Sequence, residues 1–164
     1  MIRGWDILSI LMPGTSANSF DLPTNCYYCT AAALQNTTCD KLVKGSEEMQ
    51  QDTGDIADFM KLFKGGLTHR EHGDLGVIQS YLLAELPPHR AVAFGYNRVD
   101  GTGHMIVVFK AQTLIGSTGG VSAPPSGNLR NIDYQKANPQ PADGMLPGNE
   151  NPLAMTRYHI VYQA

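Results

Sequence analysis

Hydrophobic residues recur at helical spacing in the first half of the chain. The run CYYCTAAALQ begins at Cys26, contains three consecutive alanines and no helix breaker, and therefore predicts a helix to about residue 35. Segments 55–63 and 74–86 place apolar residues three and four positions apart, which predicts two amphipathic helices. Short helical turns are predicted after Cys39 and Ser46. The polar stretch LTHREHGD, ahead of the second amphipathic helix, is typical of a loop.

The second half of the chain changes to apolar runs of strand length. Four runs are rich in β-branched and aromatic residues, namely RAVAFGY, HMIVVFKA, LRNIDYQ and RYHIVY, and the sequence NRVDGTG between the first two is typical of a hairpin. Helices followed by antiparallel strands predict the α+β class. The chain of 164 residues fits one domain, 1–164, in which residues 1–22 form an irregular lead-in. Two long loops, 113–128 and 136–152, are expected to border a substrate cleft or a partner interface.

Charge and hydropathy exclude two kinds of partner. The net charge is −3 at pH 7 and the basic residues are scattered, so we expect no nucleic-acid binding. No segment approaches the roughly 20 apolar residues of a membrane-spanning helix, so we expect no membrane span. The apolar run at residues 7–12 is short and follows Asp6, so we also expect no cleaved signal peptide.

Three cysteines, at positions 26, 29 and 39, leave at least one thiol unpaired, and we expect them to be reduced. With one histidine they could form a Cys3His zinc site, but the second tight ligand pair is missing. Cys26 and Cys29 could form a redox pair, but such motifs follow a β-strand and this one precedes every predicted strand. We therefore expect no metal site and no cofactor, and we interpret Cys29 and Cys39 as buried packing residues.

Cys26 differs because it lies at the predicted start of a helix, with Thr24 or Asn25 as the N-cap. The positive end of the helix dipole favours the thiolate, which is the reactive form of cysteine. The unpaired backbone N–H groups at this end can bind the oxyanion that forms when a thiolate attacks an acyl carbon. We therefore predict Cys26 as a nucleophile whose backbone N–H binds the oxyanion, with Asn25 or a preceding loop amide as the second donor.

A nucleophilic thiol requires a base and a group that orients the base. His104 is the candidate base because it follows the turn DGTG and opens the most hydrophobic strand, although it could be an ordinary strand-end histidine. Alternation along LRNIDYQ places Asn131, Asp133 and Gln135 on one face. Asp133 is predicted to orient His104, with Gln135 as the fallback because its amide carbonyl accepts the same hydrogen bond. The alternative for Asp133 is an exposed turn carboxylate.

Three segments together resemble the papain-fold toxin domains of bacterial polymorphic toxins and secreted effectors. PTNCYYCTAAAL is similar to their N-C-x-x-C-x-x-A helix start, NRVDGTGHMIVVFKA to their turn–Gly-His–strand segment, and NIDYQ to their D-x-Q strand. The resemblance implies a papain-like fold in which N-terminal helices, with the nucleophile at a helix N-terminus, pack on a C-terminal antiparallel sheet. It implies Cys26 as the nucleophile, His104 as the base and Asp133 as the orienting group, with Gln135 beside it.

That family includes glutamine deamidases and relatives of cysteine peptidases and transglutaminases. The resemblance implies an effector that enters the cytosol of a target cell by type VI or contact-dependent secretion, acts on a protein there, and is neutralised by an immunity protein. Deamidation of a protein glutamine is the leading expectation, and a peptidase or transglutaminase of the same fold is the first alternative. A peptidoglycan amidase effector and a non-enzymatic interaction domain are the others.

Overall fold

The computed structural model describes residues 2–18, 26–42, 56–111 and 127–164, and these ranges form an antiparallel sheet with helices on both faces. The seven strands in this part of the chain are β1 (Trp5–Asp6), β2 (Thr68–His72), β3 (Arg90–Arg98), β4 (Gly103–Lys110), β5 (Leu129–Ile132), β6 (Ala142–Asp143) and β7 (Met155–Tyr162). The helices described are α1 (Cys26–Leu34), α2 (Cys39–Leu42), α3 (Ile56–Met60) and α4 (Leu75–Glu85), and a 3₁₀ turn at Pro152–Ala154 leads into β7. The predicted α+β class is confirmed.

Strands β3, β4 and β7 lie in the interior of the sheet, whose order is β2-β7-β3-β4-β5-β6, and β1 pairs with the start of β3. The predicted hairpin joins β3 to β4, and Gly101 in its turn takes a φ of 91°, a left-handed conformation that favours glycine. The register places Tyr96 opposite His104. His104 therefore lies at the turn end of two interior strands.

Side chains of the interior strands alternate between two cores, one on each face of the sheet. Ala93 of β3 and Val107 of β4 belong to the core that contains α1. Phe94 and Ile106, their neighbours along the same strands, belong to the core that contains α4. The two faces of the same strands thus support different helices, and α1 is the one that carries the predicted nucleophile.

Helix α1 is buried along nearly its whole length and packs against β4. Ala31, Ala32 and Ala33 are fully buried, and their small side chains allow the helix backbone to approach the sheet closely. Thr30 Oγ1 donates a 3.0 Å hydrogen bond to the backbone carbonyl of Met105. This bond ties the middle of α1 to the residue that follows His104.

The polar stretch predicted as a loop forms the edge strand β2 instead. β2 pairs with β7 from Thr68 opposite Tyr162 to His72 opposite Tyr158, and its last four residues are exposed. Polar residues are common on edge strands, because an edge strand that carried apolar residues would invite pairing with other chains. The apolar alternation that identifies half-buried strands is therefore missing here, and the loop prediction was wrong.

Several predicted features fall on other parts of the chain. Thr24, Asn25, the turn predicted after Ser46 and most of the loop 113–128 lie outside the described residues. The lead-in contributes the two-residue strand β1, and the loop 136–152 contains β6. Among the residues that the structure describes, no helix has both the length and the apolar character needed to cross a membrane.

Candidate functional site

Helix α1 begins at Cys26, as the sequence predicts, and the side chain of this residue is half-buried. The first N–H groups of a helix have no acceptor within the helix, and the dipole adds positive potential at the same end. One turn later, the hydrogen bond from Thr30 to Met105 holds the helix against β4. Cys26 therefore has an electropositive position on an anchored helix.

The two other cysteines are fully buried, as predicted for packing residues. Cys29 and Cys39 face each other with their Sγ atoms 3.6 Å apart, and none of the three cysteines, all of which the structure describes, forms a disulfide bond. The hydrogen bond with Cys39 and burial raise the pKa of the Cys29 thiol, which keeps it protonated at neutral pH. Cys26 is thus the thiol that an external molecule can reach.

His104, the second residue of β4, forms a close pair with Asp133. Its Nε2 lies 2.7 Å from Asp133 Oδ2, and the two side chains are only 13% and 11% exposed. Because a carboxylate can only accept a hydrogen bond, Nε2 carries the hydrogen, and Nδ1 of the neutral ring keeps its lone pair. The ring is therefore held in the tautomer that a general base at Nδ1 requires.

The thiol of Cys26 also affects the pKa of His104. Burial lowers this pKa, but hydrogen bonds with Asp133 and with Cys26, and the negative charges of those two groups, outweigh burial and raise it to about 9. Nε2 is engaged by Asp133, so Nδ1 is the ring nitrogen that remains for a second partner. The structure thus pairs His104 with Asp133 and places Cys26 near enough to affect the imidazole.

Asp133 directly follows the last residue of β5, and a backbone contact fixes its carboxylate. The N–H of Gln135 donates to Asp133 Oδ1 at 3.1 Å, which directs Oδ2 toward His104. Gln135 therefore supports the site through its backbone. Asn131 is buried elsewhere, and its amide donates to a set of backbone carbonyls, including that of Gly144 at 2.9 Å. Asn25 lies outside the described residues.

Three residues that no sequence pattern marked form a connected group that begins at the histidine, two of them on β3 and one in the chain before β7. The Tyr96 ring meets the His104 ring edge-on, with 5.9 Å between centroids. Arg98 Nη2 forms a 2.6 Å ion pair with Glu150 Oε2. Burial raises the pKa of Glu150, but Arg98 and the Tyr96 hydroxyl outweigh burial and lower it overall. The hairpin register could have identified Tyr96 and Arg98, but no local pattern marks Glu150.

A thiol, an imidazole and a carboxylate in this order support nucleophilic attack on an acyl carbon. The imidazole takes the thiol proton, the carboxylate stabilises the resulting imidazolium, and the thiolate is the attacking group. Backbone N–H groups at the start of α1 are donors for the oxyanion of the tetrahedral intermediate. These are the groups that cysteine-dependent hydrolysis or acyl transfer on amides and esters requires.

A second group of polar side chains lies on β7 and β2, which are two and three strands from β4. The donor atoms of His69, Glu71 and His159 lie within 4.8 Å of one another, a spacing that fits a metal ion. Burial and the neighbouring His69 lower the pKa of His159. The expectation of no metal site did not consider this group, because 88 residues separate Glu71 from His159 and only the pairing of β2 with β7 joins them.

Sequence comparison identifies no relative of this chain. A scan against models of known protein families finds no match, and a search of curated proteins finds no similar sequence.

Proposed function

We propose that the chain is a cysteine amidohydrolase of papain-like fold, a bacterial effector toxin that deamidates a glutamine side chain of a target-cell protein. The observation that carries this proposal is the surroundings of His104, whose Nε2 lies 2.7 Å from Asp133 Oδ2 and whose pKa is raised by both Asp133 and Cys26. Packing alone does not require a histidine to lie near both a carboxylate and an accessible thiol. The papain-like assignment rests on chain order, in which the cysteine helix precedes the histidine strand and then the aspartate.

In the proposed reaction, His104 takes the proton of Cys26 and Asp133 stabilises the charged imidazole. The thiolate attacks the carboxamide carbon, and backbone N–H groups at the start of α1 bind the oxyanion. His104 then protonates the departing nitrogen, so that ammonia leaves and a thioester remains on Cys26. Water, deprotonated by His104, attacks the thioester, releases the thiol and leaves glutamate in the substrate.

The same groups would act as a peptidase if a peptide carbonyl occupied the site, and as a transglutaminase if an amine replaced water. The choice depends on which acyl group and which acceptor reach Cys26. We favour deamidation because the three motif segments resemble toxin domains whose family includes glutamine deamidases. Within this proposal the substrate is a cytosolic protein of the target cell, the chain arrives there by type VI or contact-dependent secretion, and a cognate immunity protein covers the site in the producing cell.

Expression of matched variants in the bacterial cytosol tests the proposal. Cys26→Ala should abolish growth inhibition and leave thermal unfolding nearly unchanged, because Cys26 is half-buried at the start of α1. Cys29→Ala is the control, since it removes a fully buried thiol that lies inside the same helix and should preserve toxicity at a modest cost in stability. Growth inhibition by Cys26→Ala equal to that of the unmodified chain would contradict the catalytic role and favour a non-enzymatic interaction domain.

The mass of intact target-cell proteins separates the reactions. Replacing a glutamine amide by an acid adds about 1 Da per modified residue, an acyl transfer to an amine adds the mass of that amine less the roughly 17 Da of the ammonia released, and peptide cleavage produces fragments. Toxicity that appears only when the chain is exported to the periplasm would instead favour the peptidoglycan amidase alternative. Toxicity in the cytosol together with the 1 Da change supports deamidation.

A further inference from the structure

We propose that His69, Glu71 and His159 form a binding site for a divalent transition-metal ion of the zinc type, separate from the cysteine site. Two imidazoles and one carboxylate are a known ligand set for zinc, in which a fourth position stays open to water. The three residues come from two neighbouring strands, so a bound ion would join the edge strand β2 to β7. This inference does not depend on the proposed hydrolase activity.

The pairing register explains why the three side chains converge. His69 and Glu71 are two residues apart on β2 and therefore point to the same face of the sheet. His159 of β7 lies directly opposite Glu71, on the face it shares with Val161, whose side chain belongs to the α1 core. A cross-strand pair and its diagonal neighbour bring three ligand side chains to one point on a rigid sheet.

The observed distances bracket those of a tetrahedral zinc site. His69 Nε2 lies 3.0 Å from His159 Nδ1, and Glu71 Oε2 lies 3.6 Å from the same nitrogen. Ligand atoms bound about 2.0–2.1 Å from a tetrahedral ion are about 3.3–3.4 Å apart. The ion would replace the proton that the two imidazoles otherwise share, and the donor atoms of all three residues already lie within 4.8 Å of one another.

Two neighbouring side chains already orient the ligands as outer partners of a metal site do. His159 Nε2 lies 2.7 Å from Asn97 Oδ1 on β3, so the amide oxygen accepts the ring hydrogen and Nδ1 presents its lone pair to the site. Arg157 lies 3.6 Å from Glu71 Oε1, which leaves Oε2 directed at His159. Ligands with fixed partners lose less freedom when the ion binds.

The proposed site and the cysteine site are neighbours on the sheet. Met105, Gly95, His159 and Glu71 form one row across β4, β3, β7 and β2. At about 4.8 Å between strands, His159 lies roughly 10 Å along this row from Met105, the residue after His104. Zinc added in excess could also bind the thiol of Cys26, so the test must identify the ligand atoms.

Calorimetric titration of the chelator-treated chain with Zn²⁺, followed by zinc-edge X-ray absorption at equimolar metal, tests the site. We expect one zinc ion per chain, with nitrogen and oxygen ligands at about 2.0–2.1 Å. His69→Ala and Glu71→Gln should abolish this binding, and both are exposed positions where the fold should survive. Asn97→Ala should weaken binding by about 10- to 100-fold.

His72→Ala is the matched control, because His72 lies on the same exposed strand but one residue out of phase with Glu71. It should bind zinc like the unmodified chain, and zinc should raise the melting temperature of both, though not of Glu71→Gln. Three results would overturn the proposal: Glu71→Gln binds as tightly as the unmodified chain, the bound zinc has sulfur ligands at about 2.3 Å, or zinc does not bind.

Discussion

At the scale of single residues, the His104–Asp133 pair links the candidate chemistry to stability. The pKa of His104 is about 9 in the folded chain, against an ordinary value of 6.5, because its bonds with Asp133 and Cys26 outweigh burial. The folded chain therefore binds this proton more tightly than the unfolded chain. The stabilisation is complete below pH 6.5 and is lost as the pH rises through about 9.

Urea unfolding measured from pH 6 to pH 9.5 should reveal this loss. We expect the unfolding free energy to fall with rising pH by up to about 3 kcal/mol from this group, at 1.36 kcal/mol for each pKa unit. Asp133→Asn is the control, because the amide keeps the shape of the side chain and removes its charge. The pH dependence should be shallower in that variant, and parallel curves for the two proteins would show that Asp133 does not hold the proton on His104.

The residues of the site could be predicted because each has a local signal. Cys26 precedes an unbroken helical run, His104 follows a glycine-rich turn and opens an apolar strand, and Asp133 lies on an alternating segment. Glu150 and the group around His159 have no such signal, because their partners come from strands and turns distant in the sequence. Their contacts follow from strand register, which the sequence pattern alone did not provide.

At the scale of elements, the placement of α1 on β4 decides whether the thiol reaches the imidazole. The buried Thr30 hydroxyl donates to the Met105 carbonyl, and this residue follows His104 in the strand. The alanines of α1 could be predicted to pack closely, but the hydrogen bond could not, because threonine within a helix more often bonds to its own helix.

Thr30→Val should change the reactivity of Cys26 only by removing the hydrogen bond from Thr30 to the Met105 carbonyl. Valine has nearly the same shape, so packing is kept while the hydrogen bond is lost, at a cost of about 0.5–1.5 kcal/mol in stability. We expect slower alkylation of Cys26 at neutral pH, because α1 is less firmly held beside His104. Thr30→Ser, which keeps the donor, is the control, and equal alkylation rates in Val and Ser variants would mean that the bond does not position the helix.

At the scale of the whole molecule, one sheet contributes side chains to two hydrophobic cores, one on each of its faces. Interior strands present Ala93 and Val107 to α1 on one face, and Phe94 and Ile106 to α4 on the other. The order of the buried strands β3, β4, β5 and β7 could be predicted because apolar runs of strand length mark them, whereas the short or polar strands β1, β2 and β6 carry no such run. The position of α4 on the face opposite α1 could not, since either face offers an apolar surface.

Leu82→Ala tests whether the two cores unfold together. Leu82 is fully buried in the α4 core, so its truncation should cost about 2–5 kcal/mol. Because the strands beneath it also support the α1 core, Cys29 and Cys39 should become reactive at the same urea concentration at which the far-ultraviolet circular dichroism is lost.

In the folded variant, alkylation of Cys26 should proceed at the same rate as in the unmodified chain, since α1 and its contact with Met105 are untouched. Exposure of the buried thiols at a different urea concentration would show that the two faces are separate folding units, and slower alkylation in the folded variant would show that the α4 core shapes the site.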